Sequence, residues 1–174
     1  MSFLESTFIQ SFLDTPIISR IRRNHGLEHA SLHVLAKKFP GRSMGGHSNP
    51  DGFWLVGDLP TETVQEAVQE ALQRLRAGER RLAVHPGCGT NFATAGSMAG
   101  LAGLLGMWGA GPRKRDKLER LPMVATLATL ALILSQPLGL SLQKHITTSG
   151  DPGDMEIVEI IQARQGRLKA HRVV

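Results

Sequence analysis

The chain has 174 residues, enough for one ordinary domain or for a small domain carrying a membrane segment. Its formal net charge is +5, and its single cysteine excludes an internal disulfide while leaving the compartment open. Charge is unevenly spread: residues 1–91 hold ten Lys/Arg and nine Asp/Glu, whereas 91–112 and 121–143 hold no charged residue.

Met1-Ser2-Phe3-Leu4-Glu5 has no basic start and no continuous apolar core, so no cleavable signal peptide is visible. Phe3, Leu4, Phe8, Ile9, Phe12 and Leu13 repeat at three and four, which predicts a short amphipathic helix over 3–13. Thr15 as N-cap and Pro16 at the first helical position start a second helix, which Pro40-Gly41 stops after Phe39. Gly45-Gly46 and Asn49-Pro50-Asp51-Gly52 read as turns, with Phe53–Val56 a short strand pairing with another near 43–47. Val64, Ala67, Val68, Ala71, Leu72 and Leu75 mark an amphipathic helix over 61–76, ended by Gly78. Arg81-Leu82-Ala83-Val84 reads as a strand delivering His85 to its end.

On the second helix, His25, Glu28 and His29 share a face with Ile18, Ile21, Leu32, Leu35 and Ala36. Ionisable groups within an apolar stripe cost several kcal/mol unless paired, so a metal or a hydrogen-bonded cluster must offset them. His25-Gly26-Leu27-Glu28-His29 has the H-x-x-E-H spelling, in which two histidines one turn apart ligate zinc and the glutamate takes a proton from the attacking water. His85-Pro86-Gly87-Cys88-Gly89-Thr90 places an imidazole and the only thiol three residues apart on a tight turn. A mixed nitrogen and sulfur set favours zinc. The expected centre therefore has His25, His29, His85 and Cys88 as metal ligands and Glu28 as catalytic base. All four ligands would close a structural site, and three plus water would open a catalytic one. The competing reading is a core in which backbone carbonyls satisfy the histidines and Cys88 is a small buried hydrophobe. His33 reads as a supporting or surface residue, His47 and His145 as surface residues, and Thr90 and Asn91 as supporting donors or caps.

Each uncharged stretch is long enough to cross a hydrocarbon core of roughly 30 Å as a helix. The first carries Gly96, Gly100, Gly103, Gly106 and Gly109, a small-residue face for close helix approach. The second contains Pro122 and Pro137, which predict a kink or early end near Ser135. Between them, residues 113–120 hold five basic side chains in eight, and a basic cluster so placed contacts lipid headgroups rather than nucleic acid. After a loop at 150–154, residues 156–163 and 168–174 read as a terminal hairpin around Gln165-Gly166.

The expected fold class is α+β: a small mixed domain with a two-helix transmembrane hairpin inserted before a C-terminal β-hairpin. Residues 1–90 form the N-terminal domain, 91–143 the membrane hairpin, and 144–174 complete the domain. Two rules oppose each other on orientation. Positive-inside places loop 113–120 in the cytoplasm, whereas an N-terminal domain without an export signal is hard to translocate. The second is followed, which puts the domain on the cytoplasmic side of a bacterial inner membrane.

Asn24–Ala30, Gly52–Gly57, Ala83–Asn91 and Gln136–Thr148 carry a resemblance to a bacterial membrane-protein family catalogued as a domain of unknown function. It covers nearly all of the chain from residue 20, and a second uncharacterised membrane family is similar through its own versions of the two histidine blocks. The resemblance implies that the two blocks belong together and names no substrate. A weaker resemblance to inverted H-x-x-E-H zinc peptidases covers five residues. Their downstream glutamate ligand has no clear counterpart here, although Glu62, Glu66 and Glu70 lie on a helix at workable distance. Two functions follow: a membrane-associated zinc-dependent hydrolase, or a non-catalytic accessory subunit of a larger membrane complex holding a structural metal or polar cluster. The implied partners are the lipid bilayer and other membrane subunits, with no nucleic acid.

Overall fold

Helices form where apolar residues repeat at three and four: α1 (Phe3–Leu13), α2 (Pro16–Lys38) and α3 (Thr61–Arg76). The computed structural model describes residues 3–165 and 168–174. Its chain folds as two units, Met1–His85 with Lys144–Val174, and Pro86–Gln143.

The first unit is mixed α and β. Pro16 opens α2 as expected, but the Thr15 hydroxyl turns back to donate to the Phe12 carbonyl instead of capping the helix. Strands β1 (Gly45–Asn49), β2 (Gly52–Val56), β3 (Ile160–Gln165) and β4 (Leu168–Val173) form one antiparallel sheet in the order β1-β2-β4-β3. Gly45 and Gly46 lie inside β1 rather than in a turn, paired with Val56 and Leu55. The turn sits at 49–52, where the Asn49 side chain accepts from the Asp51 N–H. Gly52 has φ 135°, and a Cβ there would overlap the Val173 carbonyl, so only glycine fits. Of the terminal hairpin's turn, Gly166 lies outside the described residues.

Alternation along β2 sends Phe53 and Leu55 into the core, each 1% exposed. There they join Leu27, Val34 and Leu35 of α2 and Val64, Val68 and Leu75 of α3. Trp54 points to the other face, where its cross-strand partner Arg172 lies 5.3 Å over the ring.

The strand expected at Arg81–Val84 is a 3-10 turn over Arg80–Ala83. Leu82 and Ala83 are both buried although adjacent, which a pleated strand cannot achieve on one face. The carbonyls of Ala83 and Val84 pair with side chains of α2 rather than with another strand.

The second unit consists of α4 (Gly89–Met107) and α5 (Lys114–Leu142), packed antiparallel. Of the glycines on α4, Gly106 makes the close approach, since a Cβ there would lie 2.8 Å from Val124. Gly103 is 3.9 Å from the same side chain, while a Cβ at Gly96 or Gly100 would meet nothing within 4 Å. Gly109, at φ 70°, serves the helix end rather than a packing face. The early end expected near Ser135 does not occur. Helix α5 passes Pro137 to Leu142 and closes in a π-turn over Gln143–Thr147. At that end Gly139 packs on Asn91, and the Gln143 side chain donates to Asn91 Oδ1 at 2.7 Å. Among the described residues, α5 is the one helix long and apolar enough to cross a membrane. Polar Thr90, Asn91 and Ser97 and the glycines dilute the apolar character of α4.

Candidate metal centre

One face of α2 carries Arg22, His25, Gly26, His29 and His33, and it reads the carbonyls of two connecting segments. Arg22 Nη2 donates to the carbonyls of His145 and Thr148 at 3.2 and 3.3 Å. His25 Nδ1 pairs with the Thr147 carbonyl at 3.0 Å, and His29 Nδ1 with that of Ala83 at 2.8 Å. His33 Nε2 pairs with the Val84 carbonyl at 2.8 Å. Gly26 makes room for the same layer, because a Cβ there would overlap the Ser149 carbonyl. The Ser149 N–H in turn donates to the Arg22 carbonyl at 2.8 Å.

A carbonyl can only accept, so each ring nitrogen facing one must carry the hydrogen. Whenever such a ring is uncharged, its lone pair therefore resides on Nε2 in His25 and His29 and on Nδ1 in His33. A nitrogen of His25 and one of His29 come within 4.8 Å of each other, and the two ring centroids are 4.3 Å apart. His85 stands further along the face, with ring centroids 5.7 Å from His29 and 5.0 Å from His33. Burial, with His33 and His29 beside it, pushes the His85 imidazole down to about 4, so the ring is neutral at pH 7. A neutral imidazole is the form that binds a metal. The fold thus gathers His25, His29 and His85 in the first unit. Cys88 directly precedes α4 in the second unit, three residues along the chain from His85.

Glu28 is 4% exposed and faces β1, where the Ser48 hydroxyl donates to its carboxylate. A Cβ at Gly46 would overlap that carboxylate, so glycine at this strand position makes the space Glu28 occupies. Burial pushes the Glu28 carboxyl up from its ordinary range, partly countered by the Ser48 hydrogen bond and the His25 and His47 imidazoles. His47 and His145 are exposed. Glu62, Glu66 and Glu70 of α3 find other surroundings: Glu66 pairs with Lys38 at 3.1 Å, and Glu70 lies 3.5 Å from Arg74.

Sequence reasoning missed Ser48 and Gly46. Their signal was present in the period-two alternation, which puts 46 and 48 on the same side of β1. His33 was read as a supporting or surface residue, and the 3-4-4 spacing of positions 22, 25, 29 and 33 marks it as part of the same face. Asn24 pins the β1–β2 turn through the Asn49 carbonyl at 2.8 Å. Asn91 donates to the Pro86 carbonyl at 2.8 Å and closes the start of α4.

Similarity to known proteins adds kinship without chemistry. An uncharacterized protein of Picosynechococcus sp. (strain PCC 7002) is 38% identical over 94 residues, 46% of this chain and 46% of that protein. The chain therefore matches about half the length of that curated relative. No solved structure matches the chain. Residues 20–160, which include both histidine blocks and both helices of the second unit, match the family described as a domain of unknown function, DUF6391, and the chain belongs to that family.

Proposed function

We propose that this protein is a membrane-anchored zinc protein of the bacterial inner membrane, with His25, His29 and His85 as nitrogen ligands, and that it acts as a metal-dependent hydrolase. The observation that carries the reading is the pair of Nδ1 hydrogen bonds to backbone carbonyls, which present Nε2 of His25 and His29 as the lone-pair nitrogens. Metal-ligating histidines characteristically donate their other N–H to a carbonyl or carboxylate in this way. Cys88 joins the set on its spacing from His85, as a thiolate donor suited to zinc. The metal would supply Lewis acidity to the substrate. Glu28 would hold the transferred proton, and a carboxyl pushed up by burial suits that role.

The membrane reading rests on α4 and α5. Leu101, Leu104, Leu105, Ile133 and Leu134 are each more than 60% exposed, a surface that water disfavours and lipid does not. At 1.5 Å per residue α5 is about 43 Å long and α4 about 28 Å, so the pair can cross as a two-helix hairpin. Lipid is then the first partner and other membrane subunits the second. A reporter fused after Val174 reads the side on which the first unit lies.

One observation favours the second reading, an accessory subunit with a structural metal or polar core. Glu28 is buried and already held by Ser48, as a packing residue would be. Glu28→Gln separates the two. In the hydrolase it preserves folding and zinc content and abolishes turnover. In the structural centre it changes stability alone. Elemental analysis of protein purified without chelator is the first measurement, with about one zinc per chain expected. A wild type that carries no metal when purified without chelator leaves the histidines as hydrogen-bonded core residues.

A further inference from the structure

Beside the histidine layer, the first unit contains a cleft of about 750 Å³ whose chemistry the metal reading does not use. Its lining includes four cationic side chains, Arg22, Arg80, Arg81 and Lys144, against one carboxylate, Asp151. Three parts of the chain build it. Arg22 comes from α2, Arg80 and Arg81 with Ala83 and Val84 from the 3-10 turn and its end, and Lys144 and Asp151 from the segment after α5.

These parts are locked together by contacts that leave little freedom. The Arg22 guanidinium and the Ser149 N–H tie segment 145–149 to α2. A Cβ on Gly150 would lie 2.9 Å from the Arg80 backbone, so the loop seats directly on the turn that carries the arginines. The backbone that carries the cationic side chains is therefore fixed, with Arg22 held by the carbonyls it bonds.

The charge is also poorly compensated: Asp14 acts on Arg22 electrostatically, and the lining itself holds Asp151 against four cations. Among the described residues, Arg80 and Lys144 have no ion-pair partner. Arg81 approaches Glu79 at 3.9 Å, but that carboxylate is already engaged by Arg74 at 2.7 Å. Arg22 Nε is buried with no hydrogen-bond partner among the described residues. Like charges converging on a concave surface repel one another unless an anion occupies it, and an orphaned guanidinium N–H calls for an acceptor.

We propose that this cleft binds a phosphate-bearing anion, either an anionic phospholipid headgroup or a soluble phosphoester. Planar guanidinium groups match phosphate oxygens in two-point contacts, and the lysine adds a point charge. The proposal does not depend on the zinc site, because charge and hydrogen bonding suffice for the contact.

The test uses the full chain as purified in non-ionic detergent, with its zinc content measured separately, so that its failure is distinct from failure of the metal reading. Calorimetric titration with inorganic phosphate is run against sodium chloride of equal ionic strength, since a general salt effect would appear in both. A second arm repeats the phosphate titration in lipid nanodiscs containing phosphatidylglycerol or only phosphatidylcholine. Saturable phosphate binding that weakens about tenfold in R80Q/K144Q, and is unchanged by phosphatidylglycerol, assigns a soluble phosphoester. Phosphate binding or thermal stability that responds to phosphatidylglycerol but not phosphatidylcholine, with the response lost in R80Q/K144Q, assigns a headgroup. The variant R113Q/K114Q, altered in the other basic segment, should bind inorganic phosphate as wild type does. The proposal is overturned if neither probe gives an effect that R80Q/K144Q removes, if chloride reproduces it, or if R113Q/K114Q weakens the phosphate binding equally.

Discussion

The two units place their aliphatic residues in opposite ways. In the first, Leu27, Leu35, Phe53 and Leu55 are at most 1% exposed, and the outward face of α3 is charged, although α1 and the start of α2 leave Phe8, Phe12 and Ile17 exposed. In the second, the buried positions of α5 are Ala131, Ser135 and Gly139 at four-residue spacing, while Ile133 and Leu134 are 61% and 62% exposed. Water drives large apolar groups inward because their burial is worth about 25 cal/mol per Å². Lipid supplies no such drive, so helices meet through small residues and leave the large ones outside. The second arrangement is the one the proposed membrane reading expects of its unit.

The largest test of this contrast is the same truncation made in each unit. Leu35→Ala should cost about 2–5 kcal/mol of unfolding free energy, as removal of a buried leucine does. Leu104→Ala, at a 69% exposed position, should stay within about 0.5 kcal/mol in detergent. The two tryptophans make the measurement specific, since Trp54 reports on the first unit and Trp108 on the second. Denaturant titrations of Trp54→Phe and Trp108→Phe backgrounds would follow each unit separately. Equal losses for both truncations would remove the distinction.

A slightly smaller effect is expected where charge meets the proposed lipid surface. Ile133→Lys places an ammonium mid-helix on α5, which costs about 2.5–3.5 kcal/mol at the centre of a bilayer. Membrane fractionation should show the variant shifted out of the membrane or degraded, whereas Val158→Lys, at an 83% exposed position of the first unit, should fractionate normally. Wild-type protein recovered folded and monomeric without detergent would end the membrane reading.

Periodicity made most of the first unit legible, and the failures have local causes. Helices α1, α2 and α3 and strand β2 were readable because one face is buried and the other is not. The 3-10 turn at Arg80–Ala83 was misread because four residues are too few to distinguish apolar runs by period. Strand β1 was read near 43–47, and its bounds, Gly45–Asn49, were blurred by its own composition, since Gly45, Gly46, Ser48 and Asn49 look like turn residues. Glycine is there to admit the Glu28 side chain, a long-range reason that no local window contains. In the site, the histidines on α2 stood out as ionisable groups in an apolar stripe. Their carbonyl partners at 83, 84 and 147 did not, because backbone acceptors carry no residue signature.

Removing a histidine tests the layer that joins those segments. His29→Ala deletes a 2% exposed ring and strands the Ala83 carbonyl, so about 2–4 kcal/mol should be lost from the first unit through cavity and lost hydrogen bond. His47→Ala, on the exposed side of β1, should change stability by less than about 0.5 kcal/mol. Chelator should destabilise the wild type and leave His29→Ala unchanged if zinc is bound, because a ligand selective for the folded state stabilises by mass action. The Trp108 signal should not move in any of these variants. A chelator effect of the same size in His29→Ala would remove that residue from the ligand set.

The smallest effect separates the units by pH. His171 of β4 is 1% exposed and pairs with the Thr61 hydroxyl at 3.1 Å, and its cross-strand neighbours are Leu55 and Gln162. None of these three carries a charge, and burial pushes its imidazole below the ordinary value of 6.5. The unfolded chain therefore takes up a proton near pH 6.5 that the folded chain refuses. Stability of the first unit must fall as pH drops below 6.5, and it levels off only below the folded value. The slope from one such group cannot exceed about 1.4 kcal/mol per pH unit. His85, pushed down to about 4, adds a decline of the same sign between 6.5 and that value. His171→Gln keeps a polar partner for Thr61 and removes one titration, so its stability curve between pH 7 and 5 should be shallower than that of wild type without becoming flat. Residues 91–112 and 121–143 hold no titratable side chain, so the helicity and Trp108 emission of the second unit should stay constant across the same range. A curve for His171→Gln parallel to that of wild type would show that this histidine accepts its proton without unfolding the strand that buries it.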